Sequence, residues 1–142
     1  MRPTYQTEKD LENERRVANL LAAKGYEFHK LPVQYRLDWL ITEAGEPRGF
    51  GELKARNVMK DTYPTVMISL SKVMAADALT QTTGLPCYLL LLYRDCLARL
   101  RFDEDFTLGV GGRTDRGDHQ DVEACAFFPK ERLTVVSQFA TE

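Results

Sequence analysis

Apolar residues near the start of the chain recur at helical spacing and then switch to the alternation of strands. Between Glu8 and Lys24, Leu11, Val17, Leu20 and Leu21, with Ala18 close by, form one apolar stripe, which predicts an amphipathic helix. Thr7 stands where a cap would start it. Gly25 stands where a left-handed residue would stop it. Tyr26 to Leu31 reads as a short strand interrupted by Pro32. Arg36 to Thr42 alternates, with Trp39 and Ile41 on one face and Asp38 and Leu40 on the other. Ala44-Gly45-Glu46 then signals a turn, and Arg48 to Ala55 returns as the second strand of a hairpin.

The remainder continues the alternation of helix and strand. Thr65 to Thr82 predicts a second helix with Val66, Leu70, Val73, Met74 and Leu79 on its apolar surface, closed by Gly84-Leu85-Pro86. Cys87 to Tyr93 is the longest apolar run. It falls far short of a membrane span, and its lack of polar alternation predicts a central strand covered on both faces. Leu97 to Phe102 is expected beside it as a hairpin partner. Gly109 to Asp121 reads as a mobile Gly/Asp/Arg-rich loop, Val122 to Phe128 as another strand, and Val135-Val136 as an edge element. No repeat or composition break divides the chain, so one domain over residues 1–142 is expected.

Composition narrows the function classes. The 142 residues are 44% apolar and 28% charged, enough for one α/β core. The polar N-terminus lacks a secretory leader, and a cytoplasmic location is the default. Cys87, Cys96 and Cys125 make no CxxC pair and indicate neither a disulfide framework nor a zinc knuckle, with Cys87 expected in the core. His29 and His119 sit in no ligand motif and read as structural or surface residues. A net charge of -2 gives no bulk attraction for nucleic acid, so any such partner must meet a local basic surface.

The chemistry concentrates on the hairpin. A turn centred on Gly45 sets Asp38 opposite Glu52 and Leu40 opposite Phe50, with Lys54 on the same face as Glu52. Two facing carboxylates repel and raise each other's proton affinity, which a hairpin built for stability has no reason to arrange. A divalent cation resolves the conflict. Mg²⁺ favours carboxylate, carbonyl and phosphate oxygens, so Asp38, Glu52 and the Leu53 carbonyl form a candidate ligand set. Lys54 is suited to holding a phosphate oxygen or an attacking water, and to offsetting charge on pentavalent phosphorus.

The order helix, strand, Asp38 strand, Glu52-Leu53-Lys54 strand, helix, strand resembles the PD-(D/E)xK nuclease family over roughly residues 8 to 94. That family includes restriction endonucleases, Holliday-junction resolvases and phage recombination exonucleases. The resemblance implies a restriction-endonuclease-like α/β fold: a mixed central sheet flanked by helices, core order αβββαβ, with C-terminal strand additions. It also implies Mg²⁺-dependent phosphodiester hydrolysis, with Mn²⁺ as a substitute. Asp38 and Glu52 would bind metal and Lys54 would assist water attack. The motif departs from the family at Leu37, where a proline is usual. Resolvase-like relatives add a glutamate from the first helix, a role that falls on Glu14, with Glu12 as the fallback. On the helix after the ExK strand, Ser69 and Lys72 would share an edge and contact substrate.

Arg113 and Arg116, in GGRTDRGD, are further candidates for gripping phosphate, although Asp115 and Asp118 offset their charge. Arg15, Arg16, Arg56 and Lys60 add possible contacts. The stretch lacks the GKS/T ending of a nucleotide-binding loop. With no helix-turn-helix or zinc finger, a chain this small suits DNA ends, branches or backbone better than a long base sequence, and RNA stays open. The family implies a homodimer or higher oligomer, and a phage or mobile-element origin suits the compact size. Two other classes compete with a nuclease: a catalytically silent nucleic-acid-binding or structural protein on the same fold, and a hydrolase of small phosphoesters.

Overall fold

The computed structural model describes residues 8–112 and 122–140. Helix α1 (Glu8–Ala22) leads into β1 (Tyr26–Lys30), then β2 (Trp39–Glu43) and β3 (Glu46–Ala55). These are followed by β4 (Thr65–Ser69), α2 (Leu70–Thr83), β5 (Cys87–Leu92), β6 (Cys96–Arg101), β7 (Thr107–Gly112), β8 (Val122–Pro129) and β9 (Thr134–Gln138). The expected αβββαβ order is present, with β4 interposed before α2. Among the described residues, no helix is long and apolar enough to cross a membrane.

A six-stranded mixed sheet, ordered β1-β2-β3-β5-β6-β9, carries the fold. Only β3 and β5 pair in parallel, and every other ladder in this sheet is antiparallel. Side chains of β5 alternate between the two faces. Leu89 and Leu91 join one core with Phe50, Val66, Ile68, Val73, Ala76 and Phe128, while Leu90 and Leu92 join another with Val17, Leu21 and Trp39. The apolar run thus sits where its composition demands, covered on both faces. Cys87 is buried there as expected, and β9, carrying Val135 and Val136, forms the far edge.

Several expected boundaries move, each for a local reason. Helix α1 ends at Ala22 rather than Lys24, with Gly25 at φ +92° closing the turn. Leu11 stays exposed rather than joining the core. The stretch before Asp38 is not strand: Pro32 opens a 3₁₀ turn over Val33–Tyr35, and Arg36 closes it at φ 63°. Thr65–Ser69 is a strand rather than the first turn of the helix. Its β-branched residues alternate, Val66 and Ile68 inward, and it pairs with β8, the middle strand of a three-stranded sheet ordered β4-β8-β7. Gly109 to Gly112 likewise lie in strand β7 rather than a loop. The expected loop's remainder, including Arg113, Arg116 and His119, lies outside the described residues, as does Thr7.

The hairpin between β2 and β3 turns tightly on Ala44 and Gly45, both at positive φ (52° and 79°), which suits the twist of the flanking strands. A register shift between Ile41 and Thr42 follows. Beyond it, Leu40 pairs with Phe50 and Trp39 with Gly51, the register that a turn at Gly45 predicts. Where β3 meets β5, Gly49 has no room for a side chain: a Cβ there would lie 2.7 Å from the Pro86 carbonyl oxygen. That carbonyl also accepts the Phe50 N–H. Gly49→Ala is expected to destabilise the protein by about 1–3 kcal/mol, read as a lower urea midpoint with an unchanged slope. An unshifted midpoint would show that the strand junction yields freely.

Candidate active site

Backbone pairing sets Asp38 beside Glu52. Just before β2 begins, the Asp38 N–H donates to the Gly51 carbonyl at 3.1 Å, and its own carbonyl accepts the Leu31 N–H at 2.8 Å. Its carboxylate Oδ2 accepts the Leu53 N–H at 2.9 Å. The strand N–H and C=O of one residue point to the same edge, so the Leu53 carbonyl faces the side on which Asp38 lies. Leu37, at the family's proline position, is buried in the core beside Phe50 and Leu89 instead of shaping the turn.

Glu52 is only 2% exposed. Its Oε1 accepts a hydrogen bond from the Lys72 ammonium at 3.2 Å, and that ammonium also donates to the Arg36 carbonyl. Burial raises the Glu52 carboxyl from 4.5 to about 7. The neighbouring Asp38 charge adds to the rise, and Lys72 and then Lys54 oppose it. Lys54 is half-buried and, among the described residues, has no carboxylate within ion-pair distance.

A cleft of about 540 Å³ gathers these groups, walled by Asp38, Glu52, Leu53, Lys54, Arg36, Arg56 and Lys72 and reaching Asp10, Asn13, Glu14 and Lys30 at the α1 side. An adjoining hollow of about 730 Å³ shares Arg36, Lys54, Arg56 and Lys72 and runs on to Ser69, Ser71 and Glu123. Four cations therefore stand between the carboxylates and a second stretch of surface.

The candidates separate on this map. Asp38, Glu52 and Lys54 are brought together. Glu14 lines the same cleft, with its carboxylate held by Lys30 at 3.3 Å, whereas Glu12 turns away to Lys9. Among the described residues, no three His, Cys, Asp or Glu side chains converge on one metal-sized point. Ser69 is not on the face of α2 but caps its start, accepting the Ser71 N–H at 3.2 Å and donating to Glu123 at 3.2 Å. Lys72 is in the site, although its partner is Glu52. Of the further basic residues, Arg56 reaches the cleft, Arg16 lies over the Phe139 ring and Lys60 pairs with Asp61. Nothing in the sequence marks Arg36, which only the 3₁₀ turn after Pro32 brings to the cleft. His29 meets the Thr42 hydroxyl at 2.9 Å, a structural role as expected.

The donor set fits a divalent cation. Asp38, Glu52 and the Leu53 carbonyl offer hard oxygen atoms, and a buried carboxyl whose ionisation is opposed by burial and by a like charge is relieved by positive charge. Mg²⁺ commonly completes such a set with water and phosphate oxygens, so two carboxylates suffice.

Comparison with known proteins places this geometry in context. The sequence profile of a family described as phage putative PDDEXK endonuclease matches residues 1–136. No curated protein matches the chain at a significant level. Among solved structures, Hjc, a Holliday junction resolvase from the archaeal hyperthermophile Archaeoglobus fulgidus, aligns with a TM-score of 0.60 at 15% identity, covering 87% of this chain and 86% of that one. At that identity the likeness shows the fold, which is restriction-endonuclease-like.

The Glu52 shift has a definite sign. Between pH 4.5 and about 7 the native state holds a proton that the unfolded chain has released, so this group's contribution falls as pH rises through that window. Above it, ionised Glu52 weakens the metal-free fold by up to about 3 kcal/mol. Glu52→Gln is therefore expected to raise the melting temperature in EDTA near pH 8, with the gain fading toward pH 5. A variant less stable than the parent at both values would contradict the assignment.

Proposed function

The chain belongs to the phage putative PDDEXK endonuclease family, and on that premise we propose that it is a Mg²⁺-dependent deoxyribonuclease acting at DNA ends or branches. The observation that carries this reading is Glu52, almost fully buried, held beside Asp38 at the wall of a cleft with five basic side chains. Asp38 and Glu52 would hold the ion, with the Leu53 carbonyl as a further ligand and Glu14 at the α1 rim. Mn²⁺ is the expected substitute. When bound, the ion supplies Lewis acidity and lowers the pKa of water.

The chain's own groups account for the rest. Asp38 is aimed by the Leu53 N–H, so its carboxylate orientation is set by the sheet. Lys54, without an ion-pair partner among the described residues, is available to orient the attacking water or to offset charge on the phosphorane. Arg36 and Arg56, which line the cleft, would hold flanking phosphates, a role extended to Arg113 and Arg116 from sequence. The shared cationic wall between two hollows suits a polymeric phosphodiester better than a small enclosed phosphoester. The branched substrate is drawn from Hjc, named a Holliday junction resolvase. A pair of chains, each acting as a single domain on one strand, fits that substrate.

Purified protein incubated with linear, circular and branched DNA, and with RNA, in Mg²⁺ is expected to cleave DNA and to stop in EDTA. Lys54→Ala is expected to slow cleavage by roughly 10²–10³-fold while leaving DNA binding within a few fold. Cleavage that survives both chelation and Lys54→Ala would overturn the mechanism. Metal and DNA binding without cleavage of any substrate would instead favour a silent member of the fold.

A further inference from the structure

The two carboxylates at the centre of the site are held in different ways. Asp38 is fixed by a backbone N–H, which cannot move without breaking the sheet. Glu52 is met by a side chain: the Lys72 ammonium, at the end of a four-carbon stem from the first turn of α2. Lys72 also donates to the Arg36 carbonyl, so two acceptors pin it across the cleft. Its side chain keeps 29% exposure, whereas that of Glu52 keeps 3%. It also lines both hollows, and its flexible stem gives the ammonium a route from one toward the other that leaves α2 in place.

An ammonium on a ligand oxygen and a divalent cation cannot share that oxygen at close range, because like charges in a partly desolvated site repel strongly. We propose that Lys72 is the resident counter-ion of the metal-free site, displaced from Glu52 by the incoming divalent cation and turned toward the neighbouring hollow to hold a phosphate oxygen of the substrate. This rests on Glu52 being a metal ligand. Lys72 is thereby a positioning residue in the empty site and a substrate contact in the loaded one. Lys54, on the same strand as Glu52, needs no such exchange. Flexible lysine is suited to this hand-off, since its point charge accepts many geometries.

Lysine acylation read by mass spectrometry tests the exchange without reference to turnover. The intact chain is labelled in EDTA, in Mg²⁺, and in Ca²⁺ with a synthetic duplex oligonucleotide, with exposed Lys24 as internal reference. Labelling at Lys72 is expected to rise roughly fivefold on adding Mg²⁺, the ratio implied by about 1 kcal/mol of ion pairing. It is expected to be already high in metal-free Glu52→Gln, and to fall again once the duplex is bound. Thermal shift on the same samples reports whether Mg²⁺ binds. If Mg²⁺ stabilises the protein while Lys72 labelling stays flat, the exchange is wrong and the metal site stands. If Mg²⁺ neither stabilises nor alters labelling, both fall. Should Lys72 stay reactive with duplex bound, the phosphate hand-off is overturned.

Discussion

The parallel pairing of β3 with β5 is the constraint on which the remainder hangs. A strand as apolar as β5 must be covered on both faces, and its leucines divide between the α1 and α2 layers to achieve this. Parallel neighbours cannot be joined by a tight turn, so the chain must cross over between them. That crossover is β4 and α2. It lays the first turn of α2 over the face of β3 that carries Glu52, which is how Lys72 meets a carboxylate twenty positions earlier. The topology that buries the core therefore also builds the wall of the site.

The site itself is a local conflict that the fold sustains. Glu52 is placed where ionisation is opposed by burial and by Asp38, and only Lys72 and Lys54 pull the other way. Nothing about the stability of the sheet requires that arrangement. Strain of this kind is tolerated where a ligand relieves it, and well-packed surroundings carry the cost in the meantime. Here those surroundings include Leu37, buried in the core just ahead of β2.

The centre of the site was legible in the sequence because its geometry is short-range. A tight turn at Gly45, a period of two and one local register shift between Ile41 and Thr42 together set Leu40 on Phe50 and align Asp38 with Glu52. The elements that depend on distant partners were not. Thr65–Ser69 satisfies helical spacing with Leu70 and Val73 as well as it satisfies strand alternation, and the choice is made by β8, far along the chain, through pairs such as Val66 with Phe128. Glycines at 109 and 111 suggest a loop, yet in β7 they leave room for Phe127, Cys125 and Met67 to lie across the strand. Lys72 reads from the sequence as a cation near the site, but its partner is set by where α2 begins, and that boundary is set by β4.

The register shift between Ile41 and Thr42 has a consequence for how this hairpin can vary. Pairing slips by one residue on the turn side of that point and returns to the predicted register on the side of Trp39 and Asp38. The irregularity is what returns the carboxylates to register: continued without it, the two-residue turn at Ala44-Gly45, which pairs Glu43 with Glu46, would set Asp38 opposite Gly51 instead of Glu52. One extra residue on β3 is thus the spacer that brings two acidic side chains face to face, and the length of the hairpin tip is bound to the chemistry rather than free of it.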